Sequence, residues 1–322
     1  MIDEHNVGRR QFLVGLGAAG TTLAGCQTTQ QTPHGWIDVD TPTRMGLTDA
    51  VMSVDGPFAV GESGLVLTRN GDAWEAVVSD GPTGGENPLA AVDATDDGRY
   101  LWLCGSSGVV GRYDVRGGSV TDLSAPRQKT SSWTDVAVSG RANGETVYLI
   151  NSSGELLTGH WSNGRVRWRE TVTKPTGGES ASAVDVADGT VYVVDTGGTV
   201  VRNSGSRWTP IGIRGAEGGL TDIAAIDGNH ADATADDGSI FVYNGYNWLQ
   251  LHASEKTLHA VDRMGGRGLA VGNSGDIFAL EENNWTKEPT DTPKTLQGCA
   301  LGRDTYSDVA VGSDGTILER FG

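Results

Sequence analysis

The stretch AVGNSGDIFALEENNW (residues 270–285) decides the fold. Its first apolar run ends in two polar residues and Gly275, a pattern that predicts a tight turn with a positive φ at the glycine. The next run alternates apolar and polar residues, as expected of a strand with one buried face. A second polar turn then leads to Trp285, which opens another strand. The stretch therefore predicts two successive hairpins that share a strand.

The same pattern recurs along the chain, for example in AVGESGLVLTRNGDAW (59–74) and VAVGSDGTILERFG (309–322). Seven copies align on a glycine, here called the anchor glycine, with spacings of 44, 46, 44, 40, 37 and 40 residues. The anchor glycines are Gly64, Gly108, Gly154, Gly198, Gly238, Gly275 and Gly315. A further short strand, such as LTDAVMSV (47–54), precedes each anchor. Seven units of four strands predict an all-β, seven-bladed β-propeller over residues 34–322, because a blade cannot bury its two apolar faces alone.

The last copy stops before its fourth strand. The start of the propeller region reads HGWIDVDTPT (34–43), and Trp36 stands there in a context similar to that of Trp74 in the first unit. We therefore expect the N-terminal strand to complete the last blade. This closure joins the two ends of the ring and removes two exposed sheet edges.

Tryptophan follows the anchor glycine by ten residues in four units and by seven in the third. These residues are Trp74, Trp208, Trp248, Trp285 and, in the third unit, Trp161. We expect their rings to fill the wedge between adjacent blades. Cys104 and Cys299 lie in apolar runs of units that are not neighbours, so we predict two buried thiols, with a disulfide as the alternative.

The composition indicates an acidic surface. The 322 residues carry 41 Asp and Glu against 24 Lys and Arg, a formal net charge of −17. Such a surface repels phosphate backbones, so we expect no nucleic-acid binding. The excess of arginine over lysine among the basic residues resembles the composition of haloarchaeal proteins.

The N-terminal stretch VGRRQFLVGLGAAGTTLAGC (7–26) has the features of an export signal. Paired Arg9 and Arg10 before an apolar run too short for a comfortable membrane span resemble a twin-arginine signal. The run ends in LAGC, which resembles a lipobox and predicts lipid attachment at Cys26. A cleaved signal with an incidental cysteine is the alternative. We divide the chain into a signal peptide (1–25), a polar tether (26–33) and the propeller (34–322).

The repeated form V-G-x-x-G-x-I followed by a turn and tryptophan resembles the BNR-like propellers, including the photosystem II stability and assembly factor type. It covers residues 34–322. The resemblance implies a propeller, and the family includes assembly factors and glycan-binding or glycan-cleaving proteins, so it does not fix an activity. A sialidase of this kind needs an arginine cluster with a Tyr and Glu pair, which we do not find in the sequence.

Candidate binding residues come from the anchor turns and the connections between blades, which we expect on one face around the axial channel. That polar rim contains Glu62, Ser63, Ser106, Ser107, Ser152, Ser153, Thr196, Asp236, Asp237, Asn273, Ser274, Ser313 and Asp314. The string PTGGE occurs twice, at 82–86 and 175–179, which adds Glu86 and Glu179 as possible equivalent contacts. Our candidate binding set is Glu62, Glu86, Glu179, Asp236, Asp237 and Asp314. Turn formation and shared repeat ancestry are the alternatives for these residues.

Two other clusters have a structural alternative. Asp93, Asp96 and Asp97 resemble a calcium loop but lack its glutamate, so turn formation on an acidic surface is the favoured interpretation. Arg165, Arg167 and Arg169 share one strand face, as expected of a solvated outer strand.

Motifs for catalysis are missing from the sequence: the histidines are scattered, and there is no Gly-x-Ser-x-Gly and no phosphate-binding loop. We expect no catalytic residues, no metal and no cofactor. The sequence predicts a monomeric, lipid-anchored scaffold on the outer face of the membrane that binds an unknown protein or glycan. The alternative is a carbohydrate-active enzyme, a glycosidase or lyase, that uses carboxylates near the channel.

Overall fold

The computed structural model describes residues 34–205, 207–213 and 218–321. The predicted signal residues Arg9 and Arg10 and the predicted lipid site Cys26 lie outside these ranges. The described residues form seven separate antiparallel sheets of four strands each. The first strands of neighbouring sheets contact one another around a complete ring. The predicted seven-bladed propeller with four-stranded blades is therefore confirmed.

Each blade uses four consecutive strands except the last, which borrows the first strand of the chain. The chain opens with β1 (Gly35–Asp38). Blade 1 consists of β2 (Leu47–Ser53), β3 (Gly56–Gly61), β4 (Val66–Asn70) and β5 (Ala73–Val78). Blade 2 consists of β6 (Leu89–Ala94), β7 (Tyr100–Gly105), β8 (Val110–Asp114) and β9 (Ser119–Asp122). Blade 3 consists of β10 (Asp135–Ser139), β11 (Thr146–Ile150), β12 (Leu156–Ser162) and β13 (Arg165–Trp168).

The second half of the ring follows the same order. Blade 4 consists of β14 (Ala181–Ala187), β15 (Thr190–Asp195), β16 (Val200–Asn203) and β17 (Trp208–Pro210). Blade 5 consists of β18 (Leu220–Ala225), β19 (Ala231–Ala235), β20 (Ser239–Tyr243) and β21 (Trp248–His252). Blade 6 consists of β22 (Leu258–Met264), β23 (Arg267–Gly272), β24 (Ile277–Glu281) and β25 (Asn284–Glu288). Blade 7 consists of β26 (Leu296–Ala300), β27 (Val309–Gly312), β28 (Ile317–Phe321) and β1.

The anchor glycines lie in tight turns between the second and third strands of each blade. Gly64 has a φ of 76° and Gly315 a φ of 71°, as the sequence predicts. A Cβ at Gly64 would lie 2.5 Å from the backbone nitrogen of Gly81, in the connection to the next blade. The turns therefore pack directly on the connections between blades.

Within the described ranges, no helix is long and apolar enough to cross a membrane.

Tryptophans fill the wedges between blades, as predicted. Trp74 of blade 1 packs against Val309 and Val311 of blade 7, and Trp161 of blade 3 packs against Trp102 of blade 2. The rings of Trp208, Trp248 and Trp285 are half-buried in the three following junctions. Blade 2 has no such tryptophan, and its junction with blade 1 instead contains the ring pair Phe58 and Tyr113, whose centroids are 5.6 Å apart.

The N-terminal strand closes the ring, as predicted. β1 pairs antiparallel with β28, with Trp36 opposite Arg320 and Asp38 opposite Leu318. The Trp36 ring is buried between blades 6 and 7. The outer strand of the last blade is therefore held by both main-chain pairing and a large apolar side chain.

The two cysteines of the propeller are free, buried thiols in blades 2 and 7. This observation agrees with the predicted pair of small buried side chains and rules out the alternative disulfide between Cys104 and Cys299.

Candidate functional site

The six candidate carboxylates lie on one face of the propeller, in the anchor turns and in the connections between blades. Glu62, Asp236, Asp237 and Asp314 belong to anchor turns of blades 1, 5 and 7, whereas Glu86 and Glu179 belong to connections. Among the described residues, no hydrogen bond or ion pair joins any two of the six. The structure therefore distributes them around the rim and does not gather them into one site.

Several of these carboxylates have local partners. Glu62 accepts a hydrogen bond from the Gly46 backbone at 3.0 Å. Asp237 accepts one from the Ser239 backbone at 2.9 Å, as in a turn that the side chain itself stabilises. Asp314 forms an ion pair with Lys294. The rim carboxylates thus contribute to turn geometry, and all of them except the half-buried Asp237 are exposed and accessible to a partner.

The two PTGGE strings occupy different places relative to their anchor turns. In blade 1 the anchor Gly64 packs on Gly81, which precedes the string. In blade 3 the anchor Gly154 packs on Gly178 and on the carbonyl oxygen of Glu179, at the end of the string. Glu86 and Glu179 are therefore not at equivalent positions, although both are exposed.

The carboxylates of Asp93, Asp96 and Asp97 accept hydrogen bonds from backbone groups of blade 3. Asp96 accepts from Gly140 at 3.0 Å, and Asp97 accepts from Ala142 at 3.3 Å. The described residues contain no group of three or more His, Cys, Asp or Glu side chains placed to hold a metal ion. The geometry of Asp96 and Asp97 fits the favoured interpretation of a turn on an acidic surface. Asp93 instead lies in strand β6 and lines the axial channel, so that interpretation is wrong for Asp93.

A second set of carboxylates, which we did not predict as a group, lines the axial channel. The channel has a volume of about 270 Å³, and its walls include an aspartate from the first strand of six blades. We call these residues the channel aspartates: Asp49, Asp93, Asp135, Asp185, Asp222 and Asp262. Their positions alternate between two levels. In blades 1, 3 and 5 the aspartate pairs with the residue four positions before the anchor glycine, whereas in blades 2, 4 and 6 it pairs with the residue six positions before it.

The pairing of the first and second strands shows that the channel aspartates lie at two heights along the channel. Asp49 lies opposite Val60, and the residue at the same place in blade 2 is Ala91, opposite Cys104. Asp93 comes two residues later. Since side chains two residues apart on a strand point to the same side, both levels face the channel.

Each channel aspartate bridges two neighbouring blades. Asp135 accepts one hydrogen bond from the backbone of Val136 at 2.7 Å and another from the backbone of Val184 in blade 4 at 2.8 Å. The same cross-junction bond links the remaining five channel aspartates to the next blade at 2.6–2.9 Å, with Val92, Val138, Ala225, Val261 and Leu301 as donors. These donors lie on the innermost edge of each sheet, where no further strand can pair with them. The carboxylates thus satisfy backbone groups that the channel leaves open.

The surroundings of the channel aspartates disfavour their charged form. Burial raises the pKa of Asp49 to about 8 and the pKa values of Asp185 and Asp222 to about 7, and the other channel carboxylates add to the shift. The pKa of Asp93 and that of Asp135 are also raised well above the ordinary value, by the same causes. The side chains are partly accessible through the channel, but protein atoms surround each carboxyl group closely. A shifted pKa often marks a catalytic group, yet here each carboxylate is engaged by backbone donors, which fits a structural role.

The junction between blades 7 and 1 has no channel aspartate. Gly298 occupies the place in blade 7 that Asp49 occupies in blade 1. A Cβ at Gly298 would lie 2.5 Å from the Cα of Asp49. The two first strands therefore approach each other through their backbones at this junction.

The three outer arginines lie at the edge of blade 3. Arg165, Arg167 and Arg169 are exposed, and they alternate with the half-buried Val166 and Trp168, which pack toward blade 2. This placement confirms the predicted outer strand with a shared arginine face. The cleft between blades 3 and 4, which that face borders, has a volume of about 580 Å³ and includes Arg169 in its walls.

Comparisons with known proteins find structural likeness only. No family model matches the chain, and no curated protein matches its sequence. A solved structure of YCF48 bound to D1 peptide has a TM-score of 0.68 and 15% identity, covering 91% of this chain and 96% of that chain. YCF48 from Cyanidioschyzon merolae has a TM-score of 0.67 and 19% identity, covering 89% and 98%. The WD40 repeats of RRP9 have a TM-score of 0.72 and 12% identity, covering 89% and 98%. At these identities the likeness establishes the fold, and the chain shares the β-propeller architecture of these proteins.

Proposed function

We propose that this protein is a lipid-anchored scaffold outside the cytoplasm that binds another protein and helps to assemble a complex at the membrane surface. The rim carries the proposal: exposed polar side chains sit on turns whose backbones are packed against the connections between blades. A Cβ at Gly315, for example, would lie 2.3 Å from the carbonyl oxygen of Thr43. Such a rim presents a fixed pattern of groups, and a preordered surface loses little conformational entropy when a partner binds.

Two further points support a protein partner. Propellers are radially closed, so their loops cluster on the two faces where partners are bound. One structural neighbour, YCF48, is described as bound to a peptide. The alternative of a carbohydrate-active enzyme near the channel receives less support, because the channel carboxylates already accept backbone hydrogen bonds.

The proposed location of the protein outside the cytoplasm rests on its sequence. The paired Arg9 and Arg10 direct the chain to twin-arginine export, and Cys26 is the proposed site of the lipid. Trp36 lies ten residues after Cys26 and is fixed in blade 7. The tether is therefore short, and the bound partner lies close to the membrane.

Crosslinking in the native cell tests the function. A photoreactive residue would replace Glu62, Glu86 or Asp236 on the rim, and, as a control, Asp72 or Asp188 in exposed turns between other strands. We expect one dominant protein adduct from rim positions and little from the controls. Equal adducts from both sets, or none from the rim, would contradict the proposal. A Cys26→Ser variant should leave the membrane fraction, and its retention there would contradict the lipid anchor.

A further inference from the structure

The outer strand of blade 3 carries a row of positively charged side chains that form no ion pairs within the described part of the chain. Arg165, Arg167 and Arg169 are exposed, and none of them lies within ion-pair distance of a carboxylate among the described residues. Other arginines of the propeller do form such pairs, for example Arg112 with Glu145 at 2.7 Å. We call these three residues the arginine row.

The arginine row contrasts with the charge of the whole chain. The formal net charge is −17, yet residues 160–174 contain four basic residues and one acidic residue, Glu170. Guanidinium groups stay charged at every physiological pH. An anionic ligand is repelled by most of this protein and attracted here, so the charge itself selects both the location and the sign of the ligand.

The cleft beside the arginine row provides apolar contact. Arg169 lies in the wall of the cleft between blades 3 and 4, together with Tyr148 of blade 3 and Trp208 of blade 4. Both aromatic rings are half-buried. A ligand that reaches the arginines therefore also finds aromatic surface against which an apolar side chain can pack.

The edge of blade 3 provides backbone hydrogen-bonding groups. β13 is the last strand of its sheet. The Arg169 backbone donates inward to Thr158 at 2.8 Å, and Trp168 lies opposite Gly159. Because bonded and non-bonded pairs alternate in an antiparallel ladder, Val166 and Trp168 direct their backbone groups away from β12, to the open edge.

The spacing of the arginine row matches one class of ligand. Residues at alternate positions of a strand are about 6.8 Å apart, twice the rise per residue. An extended polypeptide has the same repeat, and paired strands place opposed side chains on the same face. A peptide with acidic residues at alternate positions would therefore align every carboxylate with one arginine.

We propose that the arginine row and the open edge of β13 bind an extended, acidic polypeptide segment of a partner protein, which adds to blade 3 as a fifth strand. Main-chain pairing supplies affinity, and the alternate carboxylates supply specificity. This inference rests on the proposed scaffold function and names the chemistry that one of its partners must present. The proposed surface is the outer strand of blade 3, which is separate from the rim carboxylates in the turns and connections.

Binding of synthetic peptides to the full chain tests the inference. The probe is a fluorescent peptide in which glutamate and threonine alternate, compared with a peptide of equal composition whose glutamates are contiguous and with a lysine-threonine peptide. We expect the alternating peptide to bind best and the lysine peptide not to bind. Affinity should fall as the ionic strength rises from about 0.1 M to about 1 M, where the Debye length shortens from ~10 Å to ~3 Å. Equal affinity for the alternating and contiguous peptides would overturn the proposed register.

Variants separate the arginine row from charge in general. Replacing all three by glutamine (Arg165→Gln, Arg167→Gln, Arg169→Gln) should weaken binding by at least about tenfold, since each charge-assisted hydrogen bond lost is worth a factor of this order. The matched control removes three exposed basic residues elsewhere (Arg127→Gln, Lys256→Gln, Arg303→Gln). We expect the control to bind as the parent does, and equal losses in both variants would overturn the inference.

Backbone chemistry separates strand addition from simple charge attraction. Methylation of alternate peptide nitrogens keeps every carboxylate and removes the donors that pair with β13. We expect it to abolish binding, and a methylated peptide that still binds would overturn strand addition. Tighter binding of an anionic polysaccharide such as a polyuronate would overturn the peptide assignment. Rim crosslinks in the cell would persist in either case, so failure of this inference and failure of the scaffold function are distinguishable.

Discussion

Six junctions of the ring and the seventh are built in different ways. At six junctions a channel aspartate joins the first strands of two blades by accepting backbone hydrogen bonds. Between blades 7 and 1, Gly298 allows direct backbone contact with Asp49. On the outside of this junction, Glu319 of β28 accepts hydrogen bonds from Trp74 at 2.7 Å and from Arg69 at 2.5 Å. The difference is therefore on the channel side, because a carboxylate–arginine pair on the outside also joins blades 2 and 3, where Glu145 pairs with Arg112. A ring of similar blades can thus be closed by a junction whose inner contact differs from the others.

Deletion of residues 34–40 is the strongest way to disrupt blade 7, on which the junctions with blades 6 and 1 depend. It removes β1, opens the edge of β28 and exposes the site of Trp36. Loss of a buried tryptophan side chain alone costs about 3–5 kcal/mol. We expect a drop in the free energy of unfolding of at least about 4 kcal/mol, measured by thermal and denaturant unfolding. Deletion of residues 27–33, which is of equal length, serves as the control. An unchanged melting transition after deletion of residues 34–40 would contradict a stabilising role for closure by β1.

Substitution of Gly298 tests the inner contact of the junction between blades 7 and 1. Gly298→Ala places a methyl group 2.5 Å from the Asp49 Cα, so the two backbones must separate. Overpacking of this kind costs about 1–3 kcal/mol. Gly266→Ala is the matched control, because nothing lies within 4 Å of a Cβ there. If both variants melt alike, the close approach at Gly298 is not a constraint on the ring.

Removal of one channel aspartate tests the other six junctions. Asp135→Ala leaves the backbone donors of Val136 and Val184 without their acceptors. An unsatisfied buried donor costs about 1–3 kcal/mol, and here relaxation of the channel should keep the loss near the lower end. Asp72→Ala, at an exposed turn, should have little effect. Hydrogen exchange at Val184 should also accelerate in the first variant, and unaltered exchange would argue against the bridge.

The pH dependence of stability provides the smallest and most specific test. The folded pKa of Asp222 is about 7, whereas that of an unfolded aspartate is about 3.9. Between these values the folded chain retains a proton that the unfolded chain has released, so stability falls as the pH rises through this window. Carboxyls with a lowered pKa, such as Asp97, act below the window.

Asp222→Asn should flatten that pH dependence, because the amide has no proton to release in this range. The change in slope is at most about 1.4 kcal/mol per pH unit. Denaturant unfolding at a series of pH values between about 5 and 7 measures it, with Asp72→Asn as the control. A slope identical to that of the parent would mean that Asp222 is ionised throughout.

The repeat pattern predicted the blades because each hairpin is specified by residues that are close together in the sequence. An anchor glycine with a positive φ, followed by an alternating run, specifies a hairpin without reference to the rest of the chain. The sequence context of Trp36 identified the N-terminal strand as the one missing from the last unit. The six rim carboxylates lie in the anchor turns and connections from which they were chosen, because those turns are also local features. Their separation around the ring depends on the packing of loops such as 82–86 and 175–179, which sequence spacing does not determine.

The channel aspartates had a signal that alignment on the anchor glycines did not reveal. Asp49 in LTDAV, Asp135 in WTDVA and Asp222 in LTDIA share one position, whereas Asp93, Asp185 and Asp262 lie two residues later in their units. Viewed singly, each looks like a polar residue in a short strand. Their common direction emerges only when the first strands are aligned by pairing and arranged around an axis.

The alternation of the channel aspartates has a consequence of simple parity. Two levels can alternate without interruption only around an even number of blades, and this ring has an odd number. If the pattern continued, blades 7 and 1 would present carboxylates side by side at the same height. The sequence avoids this mismatch by placing Gly298 there. The irregularity lies beside blade 7, the blade in which the two ends of the propeller pair as β28 and β1, so this one blade accommodates both interruptions and the other six junctions remain alike.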